Sequence, residues 1–297
     1  MSESLKTVNS EIVASIEQES HTAWESSAQL IDSIKTSAYF LDKTRYLEHT
    51  SFEYATALSE EVNTLCDDTT VTSRDEAARL RIIGNYPFYT HTRIAIDDAK
   101  LLGDSRRAKI HKQHAIRYNH LLSSYLEQHP ETQLSDIIRS CFTACSDMTP
   151  NADSYTSENG LFNALRGART EAIMHRQFML LADNVNNPQL FECRTGSDEE
   201  DARGGDIVAT INGTDFFVDI KTTINGLDTT SQDDLARGFT IKRPTGRDVH
   251  PSLTLTPWFD DNDLGDTCQL PKDIEKISIR KLYIQLNSAY KQYQALS

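Results

Sequence analysis

Three charged residues interrupt two otherwise apolar runs in GGDIVATINGTDFFVDIKTT, residues 204–223. The runs are built to pair, because Asn212-Gly213 between them suits a type I′ turn, whose two central residues both need positive φ. A two-residue loop sets Ile211 opposite Thr214, and every further cross-strand pair follows by counting. Val208 then faces Phe217, and Asp206 faces Asp219. Strand alternation puts Lys221 on the same face as Asp219. The Cβ atoms of a facing pair lie ~5 Å apart, and like charges there destabilise a sheet. Two facing carboxylates call for a cation.

A divalent ion meets that need. Mg2+ prefers carboxylate oxygen, keeps several waters, and is held by one or two acidic side chains together with substrate phosphate. A bound water then gives up its proton more readily, and the ion neutralises charge on a phosphoryl oxygen under in-line attack. Lys221 stands beside both, where it can orient the water or stabilise the phosphate. Residue types and spacing thus match hydrolysis of a phosphodiester. The alternative is a hairpin whose Asp206 and Asp219 are solvated, with Lys221 paired to one of them.

Gly205-Asp206, a gap, and then Asp219-Ile220-Lys221 resemble the signature of the PD-(D/E)XK nuclease superfamily, with Gly205 where that family usually carries Pro. DIKTT, 219–223, is also similar to the catalytic strand of type II restriction endonucleases. The likeness runs from the helix bearing Glu171 to Thr223. It implies a central mixed sheet flanked by helices, Mg2+ held at Asp206 and Asp219, Lys221 as the catalytic lysine, and cleavage of nucleic acid. In this family a helix ahead of the hairpin often supplies a third acid toward the metal or its water shell. Glu171, in GARTEAIMH, is best placed for that role, with Glu158 as runner-up; otherwise Glu171 is a boundary residue paired with Arg169 or His175.

Other charges bear on a polyanionic partner. Between Ser105 and Leu126 no residue is acidic, while Arg106, Arg107, Lys109, Lys112 and Arg117 are basic. On a helix such a run tracks a phosphate backbone, or is a solvated face balanced by neighbouring acids. IKRPTGRDVHP, 241–251, gathers Lys242, Arg243 and Arg247 around a turn, and Arg is the usual bidentate reader of guanine. Arg194 and Arg203, ahead of Asp206, are candidates for phosphate contact. His111 with His114, and Cys141 with Cys145, share helix faces but bring no second ligand pair, so they read as structural rather than as zinc ligands. GxxxxGK[ST] and GxSxG are both absent, which leaves no Walker-type NTPase and no nucleophile elbow.

These residues need positioning, and composition divides the chain that does it. No glycine precedes Gly84 and no proline precedes Pro87, whereas ten of the twelve glycines lie beyond residue 150. The first half reads as helix, with amphipathic spacing through WESSAQLIDSIKTSAYFLDKTRYLEHTSFEYATALSEEVNTL. TSRDEAARLRII opens a further helix, with Thr72 or Ser73 as N-cap and Glu76 following. Helix is predicted through DDAKLLGDSRRAKIHKQHAIRYNHLLSSYLEQ and ETQLSDIIRSCFTAC, parted by Pro130. The polar stretch SDMTPNADSYTSENG separates a helical DNA-grasping or dimerisation region, 1–150, from a catalytic core, 151–297. In the core a helix, LFNALRGARTEAIMHRQFMLLADNV, leads through a polar loop into the hairpin. GFTIKR and PSLTLTPWF are further strands, and KISIRKLYIQL reads as a short strand running into a terminal helix. The expected fold class is α/β (α+β): a helical N-terminal half, then a restriction-endonuclease-like mixed sheet flanked by helices.

A chain of 297 residues buries a sizeable core without disulfide staples, and five cysteines with no CxxC pair read as free thiols. The formal charge of −14, from 30 basic and 44 acidic residues, favours solubility and weighs somewhat against nucleic acid, so local charge has to decide. No apolar run reaches the ~20 residues of a membrane span, and the N-terminus lacks the apolar core of a signal peptide. The expectation is a cytoplasmic protein with no membrane partner. Palindromic sites would make it a homodimer. Together with the resemblance, this reads as a Mg2+-dependent, sequence-specific endonuclease acting on double-stranded DNA. The competing reading is a non-catalytic DNA-binding or helical interaction protein with an idle nuclease-like fold.

Overall fold

The computed structural model describes residues 23–68, 72–148, 158–185, 187, 190–197, 200, 205–222, 236–244, 250–259 and 261–296. They group into two units: residues up to Leu121 with Thr132–Phe162, and Leu122–Glu131 with the residues from Asn163 on.

The first unit is helical. It contains α1 (23–36), α2 (Ala38–Thr44), α3 (Phe52–Asp67), α4 (Arg74–Leu101), most of α5 (Ser105–Gln128) and α6 (Leu134–Cys145). Serine opens three of these: Ser37, Ser51 and Ser73 accept from the backbone N–H of Phe40, Tyr54 and Glu76, each satisfying a donor that a helix start leaves open. Of the two expected caps for α4, Ser73 is the one used. The apolar faces bury Trp24, Ile31, Phe40, Leu58, Leu80 and Tyr86. Lys35 is also buried, and its ammonium donates to the Ala144 carbonyl (2.7 Å) and to Asp147 Oδ1 (2.8 Å), which offsets the cost of burying a charge.

Pro87 lies inside α4. It has no N–H to offer the Ile83 carbonyl, and the Cys145 thiol donates there instead at 3.5 Å. The helix predicted to run unbroken from Asp97 to Gln128 is in fact two. Gly103 adopts a φ of 70°, the Asp104 N–H reaches back to the Ala99 carbonyl (2.8 Å), and the Asp104 carboxylate accepts from the Arg107 N–H (2.9 Å). One residue thus closes α4 and caps α5.

The second unit carries a five-stranded mixed sheet. Its strands are β1 (Phe191–Thr195), β2 (Ile207–Ile211), β3 (Thr214–Ile220), β4 (Phe239–Lys242) and β5 (Ser252–Leu255), in the order β1-β2-β3-β5-β4. Only β3 and β5 run parallel. Its helices are α7 (Glu158–Val185) from Asn163 on, the single turn α8 (Asp261–Leu264) and α9 (Lys272–Leu296). The chain is of the mixed helix-and-sheet class that its sequence suggested. The hairpin pairs as counted, Ile211 with Thr214 and Val208 with Phe217, with Asn212 and Gly213 at φ 48° and 76°.

Two elements differ from expectation. β1 falls where a loop was predicted, because FECRT holds one buried apolar residue, Phe191, and no alternation. Tertiary pairing makes it a strand, from Phe191 opposite Ile211 to Thr195 opposite Ile207, and its odd-numbered side chains meet α7: the Phe191 ring lies 6.0 Å from Phe178 and Cys193 Sγ 3.6 Å from Met179 Sδ. The terminal segment is a single helix, α9, with no strand at its start. Its buried face is Ser278, Leu282, Gln285, Leu286 and Ala289, a helical spacing disguised by two polar members. Ser278 Oγ donates to Gln177 Oε1 (2.9 Å), and Gln285 Nε2 reaches the carbonyls of Arg237, Gly238 and Thr256.

Candidate functional site

The site begins where β2 runs out. On one side β3 serves its parallel neighbour: Phe217 N–H donates to the Pro251 carbonyl (3.0 Å) and Lys221 N–H to the Leu255 carbonyl (2.8 Å). The Ile220 amide points to the other side, two residues past Val218, which with Ile207 forms the last pair of the β2–β3 ladder. Asp206 meets it with its carboxylate, Oδ2 accepting from Ile220 N–H at 2.6 Å. A charge-assisted bond of this kind is stronger than the neutral ladder bond it replaces. The expected Asp206–Asp219 pair lies one residue beyond the last pair that forms, Ile207–Val218.

Close backbone approach holds Asp206 there. Gly196 N–H donates to the Asp206 carbonyl (2.9 Å), and Gly205 N–H donates to the Glu200 carbonyl (2.9 Å). A Cβ on Gly196 would overlap the Gly205 carbonyl oxygen, and one on Gly205 would stand 3.1 Å from Glu200 O and 3.3 Å from the Phe217 ring. Proline at 205 would also forfeit the bond to Glu200, a local reason for glycine at that position.

Lys221 Nζ donates to Asp219 Oδ1 at 2.7 Å, with the lysine side chain 40% and the aspartate 20% exposed. Burial works to lower the lysine pKa. The hydrogen bond to Asp219 and the charges of Asp219, Asp206 and Glu171 outweigh it, and Lys221 is held above its usual value. It is an ammonium at neutral pH. The Glu171 charge thus reaches Lys221 as well as those of the hairpin acids.

One turn beyond Glu171 on α7, His175 is held from both sides. Its Nδ1 lies 2.8 Å from Glu127 Oε1, and its Nε2 lies 3.1 Å from Thr195 Oγ1. Residues four apart share a helix face, so His175 ties the face of α7 that carries Glu171 to β1. Sequence reading missed it: the three residues sit on three distant segments, and the only signal is a histidine one turn from a candidate acid.

Asp206 accepts from the Ile220 amide and Asp219 from the Lys221 ammonium, and a carboxylate has about four acceptor positions. Hard oxygen donors of this kind fit Mg2+, which takes one or two carboxylates and fills the rest of its shell with water and phosphate oxygen. Among the described residues no three His, Cys, Asp or Glu side chains gather as a ligand set.

The predicted phosphate contacts are scattered. Arg106, Arg107, Lys109, Lys112 and Arg117 are all exposed on α5, in the first unit. Lys242 and Arg243 are exposed at the end of β4. Arg194 is taken by Glu200 in a two-pronged pair, 2.8 and 2.7 Å, which holds the Glu200 carboxyl down to about 2, chiefly through that hydrogen bond. Arg203 and Arg247 lie outside the described residues, as does the Glu158 side chain. His111 and His114 pack edge-on against Phe52 and Phe88, and Cys141 and Cys145 are buried free thiols, as their structural reading predicts.

No helix among the described residues is long and apolar enough to cross a membrane. Comparison with family models, curated proteins and solved structures gives no match.

Proposed function

We propose that the protein is a Mg2+-dependent endonuclease that hydrolyses phosphodiester bonds of double-stranded DNA, of the type II restriction kind. The observation that carries this reading is one group of charges at the open end of the hairpin: Asp206 and Asp219, each one residue beyond the last ladder pair, Ile207–Val218, with Lys221 on Asp219 and in the field of Asp206 and Glu171. Like charges on neighbouring strand ends cost stability, and a protein that keeps both has a use for them.

Asp206 and Asp219 would hold the ion. When bound, Mg2+ supplies a water of lowered pKa and neutralises charge on the phosphoryl oxygen. Lys221, kept protonated by its three acidic neighbours, donates hydrogen bonds to the attacking water or to the phosphate and stabilises the charge that grows there. It serves as a fixed cation rather than as a proton acceptor. Glu171 adds to the field, led by Asp219, that favours that ammonium. A palindromic site cut on both strands calls for a homodimer.

The second reading is an idle site in a binding protein. One observation favours it: Asp206 and Asp219 already have partners within the chain. Incubating the protein with supercoiled plasmid and Mg2+, beside an EDTA control and a structured RNA, separates the two. Discrete DNA fragments that appear only with Mg2+ support the enzyme. Intact plasmid under all conditions supports the binding protein.

A further inference from the structure

Side chains from three segments of the second unit meet beside its sheet: Glu127 near the end of α5, His175 on α7 and Thr195 at the end of β1. Glu127 Oε1 lies 2.8 Å from His175 Nδ1, and Thr195 Oγ1 lies 3.1 Å from His175 Nε2. A carboxylate only accepts hydrogen bonds, so Nδ1 carries the ring proton. In the neutral ring Nε2 is then an acceptor, and the Thr195 hydroxyl donates to it. Acid, imidazole and hydroxyl thus stand in the order and at the distances in which a histidine, oriented by a carboxylate, activates an alcohol as a nucleophile.

Exposure follows the same order. Thr195 is exposed, whereas the His175 side chain is only 15% exposed, so the hydroxyl oxygen is open to a substrate while its base is held in place. Threonine is branched at Cβ and stiff about χ1, which keeps the hydroxyl on the ring. The backbone of β1 adds a further part. Gly196 N–H donates to the Asp206 carbonyl, and the Leu190 carbonyl accepts from Asn212 N–H, so the even-numbered residues here bond toward β2. In an antiparallel ladder the residues between them turn their N–H groups the other way. Phe191 does so, its N–H donating to the Asn187 carbonyl (3.0 Å). Thr195 has the same parity, and β1 is the outermost strand. Its N–H therefore faces the open edge, with no acceptor among the described residues, and can receive the charge that grows on a carbonyl oxygen attacked by its own hydroxyl.

We propose that Glu127, His175 and Thr195 form a second catalytic site, one that hydrolyses carboxylic esters and uses none of the hairpin carboxylates. Thr195 Oγ1 bonds to the acyl carbon as its proton passes to His175 Nε2, and the carbonyl oxygen takes up negative charge beside the Thr195 N–H. As the C–O bond to the leaving alcohol breaks, His175 returns the proton to that alcohol. Water then attacks the acyl-threonine, giving a proton to His175; the acid departs and Thr195 recovers its own proton. Glu127 is a positioning residue, which fixes the tautomer and faces the imidazolium that forms. A single N–H stabilises less charge than the usual pair of donors, and this favours an ester over an amide, whose leaving group is poorer.

The test is hydrolysis of p-nitrophenyl acetate and p-nitrophenyl butyrate by the full chain in EDTA, where no metal-dependent step contributes, together with labelling by a fluorophosphonate. Wild type turns over many equivalents of at least one ester. Thr195→Val, a substitution at an exposed position, and His175→Gln each lose about a hundredfold or more in kcat, the scale for a nucleophile and its base. Glu127→Gln lowers kcat and leaves KM unchanged. In wild type the fluorophosphonate forms a covalent adduct on Thr195, located by peptide mass spectrometry, a readout that needs no variant to fold. The proposal is overturned if wild type releases no more than a single equivalent of nitrophenol per reactive amine, or if turnover survives in a folded Thr195→Val. It is equally overturned by an adduct found only on other residues or not at all, or by an unchanged kcat in Glu127→Gln.

Discussion

The Asp206 carboxylate completes the edge of β3 by accepting the Ile220 amide at 2.6 Å, two residues past Val218 in the last backbone pair between β2 and β3. The side chain proposed to hold an ion is therefore also part of the sheet. Ile220 is 6% exposed, and removing the acceptor strands its donor away from water.

Stability should separate two substitutions at this position. Asp206→Ala leaves the amide unsatisfied and costs about 1–3 kcal/mol. Asp206→Asn keeps an acceptor oxygen and relieves repulsion with Asp219, so it should lie within about 1 kcal/mol of wild type, or above it. Urea unfolding of both checks this. Equal losses in the two would mean that the Ile220 bond does not hold the edge.

Neutralising Arg106, Arg107 and Lys109 to Gln should weaken DNA binding on all sequences alike. For every phosphate that no longer meets a cation, the slope of log K against log salt falls by about 0.9. The three side chains are exposed, so the fold should be unaffected. Titrations at several salt concentrations read the slope; an unchanged slope makes the run a solvated face.

The Arg194–Glu200 pair has a pH signature. Its effect holds the Glu200 carboxyl at about 2 in the folded chain, against 4.5 for an unperturbed one. A depressed folded pKa contributes stability that is full above about 4.5 and fades as pH falls toward about 2. Arg194→Ala should cost about 1 kcal/mol or less near neutrality, since Arg194 is largely exposed. The gap from wild type should narrow from pH 5 to pH 3 in denaturant melts. A gap that is constant or that widens on acidification contradicts this assignment.

Gln285→Leu should destabilise the protein although it adds an apolar side chain to a buried position. The carbonyls of Arg237, Gly238 and Thr256 lose their shared donor, at about 1–3 kcal/mol. A neutral or stabilising outcome in thermal and urea unfolding would show that those carbonyls find other partners.

This glutamine also shows why part of the fold was hard to read. Ser278 and Gln285 occupy the buried face of α9 and interrupt its apolar stripe, while exposed Ile277, Tyr283 and Ile284 supply apolar residues on the wrong side. β1 was invisible for a related reason, since its strand character comes from pairing with β2 rather than from its own residues. The hairpin was legible because a two-residue turn sets the register by arithmetic. The break at Gly103 was marked by a glycine followed by a capping aspartate, a signal outweighed by helical spacing on both sides. The Asp206–Ile220 bond and the Glu127–His175–Thr195 clamp depend on where a ladder ends and on which distant segments meet, and neither is written in local pattern.

The central claim is that Asp206, Asp219 and Lys221 act together on a phosphodiester, and plasmid cleavage by single substitutions tests it most directly. Wild type, Asp206→Asn, Asp219→Asn and Lys221→Met, each shown by circular dichroism to be folded, are incubated with supercoiled plasmid and Mg2+ and the initial rates compared. The account predicts Mg2+-dependent cleavage by wild type and a loss of about a hundredfold or more in each variant, the scale for removing a charge-stabilising group. Wild-type rates in a folded variant of any of the three, or cleavage by wild type that survives EDTA, would contradict it.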